Sequence, residues 1–166
     1  MASKLILITG PIGSGKSAWC SHFIEAARAE GRKVGGVLSR PVLLEGRKVG
    51  IDLLDLITGE ERRLSNPRTA NSQGLTTQRW HFDTQTLSWA NRVLLELPMC
   101  DIVIIDELGP LEFSRGEGLQ EGLRIVDGHR FPELYVVVRP EFVPQALNRW
   151  PWAEVLDVRQ VEAHDS

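Results

Sequence analysis

The segment KLILITGPIGSGKSAWC, residues 4–20, joins an apolar run to a glycine-rich turn and then to the start of a helix. Residues 4–9 form a continuous, mainly apolar run, which is typical of a strand buried on both faces. The eight residues from Gly10 to Ser17 match the pattern G-x-x-x-x-G-K-[ST] at every fixed position. This order of strand, glycine turn and helix predicts a loop that wraps its backbone around a phosphate group.

Each part of this phosphate loop has a predicted role. The glycines let backbone N–H groups approach an anion, and the helix that follows presents its positive dipole end to that anion. We expect Lys16 to bridge the β- and γ-phosphates of a nucleotide, and the Ser17 hydroxyl to bind Mg²⁺. The predicted nucleotide-binding residues run through the loop into the helix: Gly10, Pro11, Ile12, Gly13, Ser14, Gly15, Lys16, Ser17 and Ala18.

A second apolar strand ends in two adjacent carboxylates. The segment DIVIIDELGP, residues 101–110, runs from an aliphatic stretch straight into Asp106 and Glu107. Ligands of α/β sheets bind at the carboxyl ends of the parallel strands, so both side chains are expected near the phosphate loop. Asp106 is the predicted second Mg²⁺ ligand, and Glu107 is the predicted general base that activates a water molecule. A carboxylate beside the metal-binding aspartate favours water over another acceptor, and so favours hydrolysis.

Apolar strands alternate with helical patterns along the rest of the chain, which predicts a parallel α/β sheet. Further strands are predicted at 33–39, 101–105, 133–140 and 153–158, and helices at 16–30, 83–97 (capped by Asp83 or Thr84), 115–127 and 140–150. Glu45-Gly46 is predicted as a turn within an antiparallel region, and residues 65–78 as a long surface loop. The fold class is therefore α/β, a three-layer sandwich with a mostly parallel sheet, helices on both faces and an antiparallel hairpin extension.

Length and composition limit the function classes. The 166 residues suit a single domain, residues 1–166, and the net charge of −3 argues against a nucleic-acid partner. No apolar stretch approaches the roughly 20 residues that span a bilayer, so we expect no membrane association and a cytoplasmic location. Cys20 and Cys100 are expected to behave as small buried hydrophobic residues. The sequence identifies no protein partner.

Three stretches of the chain resemble one family. They are the phosphate loop, the segment GGVLSRPVLLEGRKVGIDLLDLITGEERRL (residues 35–64) and the segment VIIDELGPLEF (residues 103–113). Together they resemble the small P-loop nucleoside-triphosphatases (NTPases) known as cancer-related or thermophile-type. The first stretch is specific only to a superfamily, whereas the other two are more specific. Ser39-Arg40-Pro41 departs from the family pattern, in which a Thr-Glu-like stretch is usual.

The resemblance implies a RecA-like P-loop NTPase core. It also implies slow, Mg²⁺-dependent hydrolysis of ATP, GTP and other nucleoside triphosphates to the nucleoside diphosphate and phosphate. No N-K-x-D-like guanine-reading motif is present, which disfavours a regulatory GTPase. The family's roles carry over onto six positions of this chain: Gly13, Gly15, Lys16, Ser17, Asp106 and Glu107.

Several assignments stay open from sequence alone. A cation beyond Lys16 usually stabilises charge on the γ-phosphate, and Arg139 is the first candidate, before Arg40 and Arg115. Glu112 is expected to orient a loop or the metal site, or to face solvent. Two further functions compete with hydrolysis: a P-loop phosphotransferase acting on a small metabolite, and a nucleotide-gated binding module.

Overall fold

The computed structural model describes residues 3–11, 13–67 and 80–160. Within these ranges, eight strands form one sheet: β1 (Lys4–Thr9), β2 (Val34–Leu44), β3 (Arg47–Asp55), β4 (Glu61–Pro67), β5 (Trp80–Phe82), β6 (Ile102–Leu108), β7 (Glu133–Val138) and β8 (Glu154–Asp157). The helices of the same ranges are α1 (Lys16–Ala29), α2 (Thr84–Leu95), α3 (Pro110–Arg115), α4 (Gln120–Gly128), a short 3₁₀ helix (Pro140–Phe142) and α5 (Val143–Arg149).

The strand order across the sheet is β5-β4-β3-β2-β6-β7-β1-β8. Five neighbouring strands run parallel to one another: β2, β6, β7, β1 and β8. Strands β3, β4 and β5 continue the sheet beyond β2 with antiparallel pairings. The predicted parallel sheet with an antiparallel extension is confirmed. Because parallel strands end at one edge, β1, β7, β6 and β2 bring the residues that follow them to a common edge.

Side-chain alternation in the central strands divides the core between two faces of the sheet. In β1, Leu5 and Leu7 face a core that includes residues of α2 and α4, whereas Ile6 and Ile8 face a core that includes residues of α1. All four side chains are nearly inaccessible to solvent, and burial of each contributes about 1.5–3 kcal/mol. Helices therefore cover both faces, as the predicted three-layer sandwich requires.

The antiparallel extension differs in detail from the prediction. Strand β2 does not stop at residue 39 but continues to Leu44 as the first arm of a hairpin with β3. Glu45 and Gly46 form the turn, both with positive φ (52° and 78°), which suits a two-residue hairpin turn. The predicted surface loop at 65–78 begins later, because residues 65–67 belong to β4. Its remainder, residues 68–78, lies outside the described residues.

The predicted helix over 115–127 is wrong in its bounds. Two helices occupy this region, and α3 comes directly after β6. Pro110 begins α3 because its fixed φ suits the first turn of a helix. Gly116 ends α3 in the left-handed conformation, with φ 65°, and α4 starts only at Gln120.

Two other local predictions are resolved by the structure. Asp83 caps α2, since its carboxylate accepts hydrogen bonds from the backbone N–H groups of Gln85 and Thr86. Cys20 and Cys100 are both buried free thiols, as predicted. Among the described residues, every helix is too short or too polar to cross a lipid bilayer.

Candidate active site

The phosphate loop joins β1 to α1 at the carboxyl edge of the sheet. Gly15 lies just before α1 with φ 95° and ψ 22°, a left-handed conformation that favours glycine. No side chain caps this end of α1, and its first turn carries no acidic residue. The first N–H groups of α1 and its positive dipole end are thus left to bind an anion.

Hydrogen bonds inside the loop hold its shape. The Lys16 ammonium donates to the Gly10 carbonyl over 2.7 Å, and the Ser14 N–H donates to the Pro11 carbonyl over 3.0 Å. Gly10 also favours glycine, because its φ is 155° and an added Cβ would clash with the Ser14 hydroxyl. Gly10 and Pro11 therefore shape the loop, and the Lys16 ammonium is tied to its first residue.

A cleft of about 800 Å³ opens beside the loop. Six of the nine predicted nucleotide-binding residues line it, namely Gly13, Ser14, Gly15, Lys16, Ser17 and Ala18. Gly10 and Pro11 do not line the cleft but accept the hydrogen bonds described above, and Ile12 lies outside the described residues. The Ser14 hydroxyl is buried and has no partner among the described residues, so it is a polar atom that a bound phosphate could satisfy.

Ser39 connects the loop to the opposite wall of the cleft. Its backbone N–H donates to a carboxylate oxygen of Asp106 over 3.0 Å, and its carbonyl accepts a long bond of 3.5 Å from the Ser17 hydroxyl. Ser17 and Asp106 are consequently brought together through one residue of β2. No role for Ser39 followed from the sequence, because its contact with Asp106 depends on β2 lying beside β6.

The donor set suits Mg²⁺. A hydroxyl from Ser17 and a carboxylate from Asp106 are hard oxygen ligands, and Mg²⁺ is commonly held by one or two such groups together with substrate phosphates. Among the described residues, no three His, Cys, Asp or Glu side chains cluster into an all-protein metal cage. The residues present therefore fit a metal ion shared with a nucleotide.

The two adjacent carboxylates of β6 lie in different environments. Asp106 is 2% exposed, and its burial, together with the neighbouring Glu107 charge, raises its pKa to about 7 despite the Ser39 hydrogen bonds. A cation bound beside Asp106 would favour its charged form. Glu107 lies on the cleft wall, where its carboxylate accepts a hydrogen bond of 3.0 Å from Arg139 Nε. The peptide bond between the two residues is cis.

Arg139 is the predicted arginine that the structure brings next to Glu107. It follows β7 directly, and its side chain is about one third exposed. Arg40 instead pairs with Glu61 on the outer surface of the antiparallel extension, over 3.1 Å, and does not line the cleft. Arg115, at the end of α3, does line it.

Apolar side chains border the Glu107–Arg139 pair. A cavity of about 60 Å³, bounded in part by Ile51, Phe82 and Leu111, shares both charged residues with the main cleft. Such a neighbourhood lowers the local dielectric, which strengthens the ion pair relative to one in water. The Arg139 hydrogen bond therefore orients the Glu107 carboxylate within the cleft.

Glu112 is buried, so the solvent-facing alternative is wrong. One carboxylate oxygen accepts from the Gly109 N–H and the other from the Leu119 N–H, each over 2.8 Å. Burial raises its pKa, and these two hydrogen bonds oppose that rise. Glu112 thereby ties the start of α3 to the start of α4, and it orients the segment that follows Glu107.

Comparison with known sequences gives consistent matches. A family model described as NTPase matches residues 5–161. The nucleoside-triphosphatase THEP1 of Ignicoccus hospitalis is 30% identical over 146 residues, covering 87% of this chain and 82% of that protein. The protein of the same name from Thermococcus kodakarensis is 28% identical over 141 residues, covering 83% of this chain and 77% of that protein.

Two solved structures share the fold. A human cancer-related nucleoside triphosphatase superposes with a TM-score of 0.69 at 20% identity, covering 94% of this chain and 88% of that one. THEP1 from Aquifex aeolicus also superposes with a TM-score of 0.69 at 20% identity, covering 93% and 89%. The family model spans nearly the whole chain, and it agrees with the relatives and with the cleft described above: the chain belongs to the NTPase family.

Proposed function

We propose that this chain hydrolyses nucleoside 5′-triphosphates to the diphosphate and phosphate, with Mg²⁺ as cofactor. The observation that carries the proposal is the position of Glu107. Its carboxylate lies in the same cleft as Lys16 and Ser17, next to a buried aspartate and oriented by Arg139. The names of the relatives, nucleoside-triphosphatases, support the same activity.

The phosphate loop is proposed to bind the triphosphate. Backbone N–H groups of residues 13–18 surround the β-phosphate, and Lys16 exchanges its bond to the Gly10 carbonyl for phosphate oxygens. Ser17 and Asp106 would hold Mg²⁺, which supplies positive charge to the phosphate oxygens. This is the arrangement that phosphoryl-transfer sites use to position the terminal phosphate.

Glu107 is proposed to accept the proton of the attacking water. A carboxylate held within the cleft can orient water and take its proton, which typically contributes 10²–10⁴-fold to a rate. Arg139 holds that carboxylate and is proposed to turn one guanidinium N–H toward the γ-phosphate, whose charge grows in the transition state. We also propose that base specificity is broad, covering ATP, GTP and others, and that the protein acts in the cytoplasm.

The test is phosphate release from ATP, GTP, CTP and UTP, each with Mg²⁺ and with EDTA. We expect hydrolysis of several of these nucleotides with Mg²⁺ and none with EDTA. Lys16→Ala should abolish most of it, whereas Lys4→Ala, at an exposed position outside the cleft, should not. Failure of every nucleotide to release phosphate with Mg²⁺ would overturn the proposal.

A phosphotransferase is the second candidate, because the cleft continues beyond Glu107. It would show acceptor-dependent formation of the nucleoside diphosphate, with little phosphate released. A nucleotide-gated binding module has no specific support in the described residues.

A further inference from the structure

Strand β2 runs past the point where its pairing with β6 ends. The parallel pairs between the two strands stop at Val37 and Ile105, whereas β2 continues to Leu44. Along a paired strand, the backbone groups of alternate residues face the same neighbouring strand. Ser39 lies two residues beyond Val37, so its N–H and C=O are directed to the side of β6 beyond the last pair of residues. These two backbone groups can therefore serve the side chains of the site.

The backbone N–H of Ser39 binds one of the two oxygens of Asp106. It donates to Asp106 Oδ2 over 3.0 Å. Asp106 is only 2% exposed, and a buried carboxylate needs hydrogen bonds in place of the water that it has lost. Because Oδ2 is engaged by Ser39, Oδ1 is the oxygen that we assign to a metal ion.

The carbonyl of the same residue contacts the other proposed metal ligand. It accepts a hydrogen bond from the Ser17 hydroxyl over 3.5 Å, which is the weaker of the two contacts. A serine hydroxyl has one proton and two lone pairs. When the proton is donated to the Ser39 carbonyl, the lone pairs of Ser17 are left for a cation.

We propose that Ser39 is a positioning residue for the metal ion, whose backbone N–H orients Asp106 and whose carbonyl orients Ser17 toward the same Mg²⁺. This inference deepens the proposed function, because it takes the two metal ligands from it. Hydrogen-bond partners of metal ligands typically contribute about 10–100-fold to metal affinity. Since both groups of Ser39 belong to the main chain, most of this contribution comes from the backbone and little from the side chain.

An amide-to-ester replacement at residue 39 tests the N–H directly. The α-hydroxy analogue of serine keeps the side chain of Ser39 but lacks the N–H that donates to Asp106. Mn²⁺ is the probe, because electron paramagnetic resonance measures its free concentration. It is titrated into protein in excess over the β,γ-imido analogue of ATP. We expect Mn²⁺ affinity to fall about 10–100-fold, while the affinity for the analogue in EDTA stays within about twofold.

The same ester at Leu38 is the matched control. Leu38 pairs with Leu54, and as the residue between Val37 and Ser39 it directs its backbone groups to β3 rather than β6. This ester removes a backbone donor from the same strand, so it should lower the midpoint of urea unfolding but leave Mn²⁺ affinity within about twofold. Ser39→Ala keeps the N–H and should weaken Mn²⁺ binding less than the ester at residue 39 does.

Three results would overturn the positioning role of Ser39. They are an Mn²⁺ affinity that the ester at residue 39 leaves unchanged, one that falls equally with the ester at Leu38, and one that falls further in Ser39→Ala than in the ester. Absence of Mn²⁺ binding beyond that of the analogue alone would overturn this role together with the proposed metal site. A wild-type protein that binds Mn²⁺ in the expected ester-sensitive way but releases no phosphate would support the role of Ser39 and contradict only the proposed hydrolysis.

Discussion

The two walls of the cleft are built in different ways. The phosphate-loop wall is one continuous segment, and its proposed binding groups are the backbone N–H groups at the start of α1 together with Lys16 and Ser17. The opposite wall is assembled from Ser39 of β2, Asp106 and Glu107 of β6 and the residues after β7. One wall therefore depends on local geometry, and the other depends on which strands are neighbours in the sheet.

That contrast predicts where single substitutions act. A change in the loop removes contacts with the nucleotide directly, whereas a change in the assembled wall affects turnover or stability through the residues that it positions. The following predictions run from the largest expected effect to the smallest.

Lys16→Ala tests the local wall and should have the largest effect of any variant other than those of Glu107. The ammonium that now contacts the Gly10 carbonyl is lost, so the triphosphate loses its main side-chain cation. We expect phosphate release to fall about 10²–10³-fold, with weaker nucleotide binding as well. Steady-state phosphate release and nucleotide titration measure the two effects. Full activity in Lys16→Ala would show that the phosphate loop is not part of the active site.

Arg139→Ala tests the assembled wall. Loss of the guanidinium frees Glu107 and removes a positive charge from the cleft. We expect turnover to fall about 10–100-fold, with nucleotide affinity changed little. Arg40→Ala and Arg115→Ala should each lower turnover less. A larger loss in either of those two variants would assign the γ-phosphate contact to that arginine.

Glu112→Ala should act on stability. It leaves the Gly109 and Leu119 N–H groups without their acceptor in a buried segment, at a cost of about 3 kcal/mol in the free energy of unfolding. Urea unfolding measures this cost, and Glu96→Ala, at an exposed position, is the control. Glu112→Gln should recover part of the loss because it keeps one acceptor oxygen. An unchanged midpoint in Glu112→Ala would show that Glu112 does not hold this wall together.

Asp127 lies outside both walls of the cleft, so its substitution should change the stability of the protein but not its phosphate release. Burial raises its pKa, but hydrogen bonds from Arg149 and from the Trp150 indole outweigh this and hold the pKa below its usual range. A lowered pKa in the folded state stabilises the protein above the unfolded pKa of about 3.9, and this stability is lost as pH falls through the folded value.

Asp127→Asn should therefore lower the free energy of unfolding by about 1 kcal/mol at pH 7. The difference from the wild type should close as pH falls below about 4, and phosphate release at pH 7 should stay unchanged. Urea unfolding across pH 2.5–7 would check this. A difference that persists at the lowest pH would show that the charge of Asp127 is not its cause.

The same contrast explains what the sequence could predict. The strand and the helix on either side of the predicted phosphate loop could be recognised because strand, glycines and helix are consecutive, so each signal is local. Asp106 and Glu107 were found because they directly follow an apolar run. The sheet class followed from the alternation of buried strands and helices, whereas the limits of several elements, among them β2, β4, β6 and the helix predicted at 115–127, differ from the prediction.

The contacts of Ser39 and Glu112 could be recognised only from the three-dimensional structure. The role of Ser39 depends on β2 lying beside β6, which places its N–H next to Asp106. Glu112 contacts a residue seven positions later because Gly116 ends α3 and the chain turns back. Neither contact has a periodic or local signature, since both depend on the three-dimensional path of the chain.

Glu107→Gln tests the central claim most directly. The amide retains the size of the side chain but cannot accept the proton of the attacking water. We predict that nucleotide affinity stays within about twofold while single-turnover phosphate release falls about 10²–10⁴-fold, with Glu25→Gln, exposed on α1, as the unaffected control. Phosphate release at the wild-type rate in Glu107→Gln would contradict the assignment of Glu107 as general base.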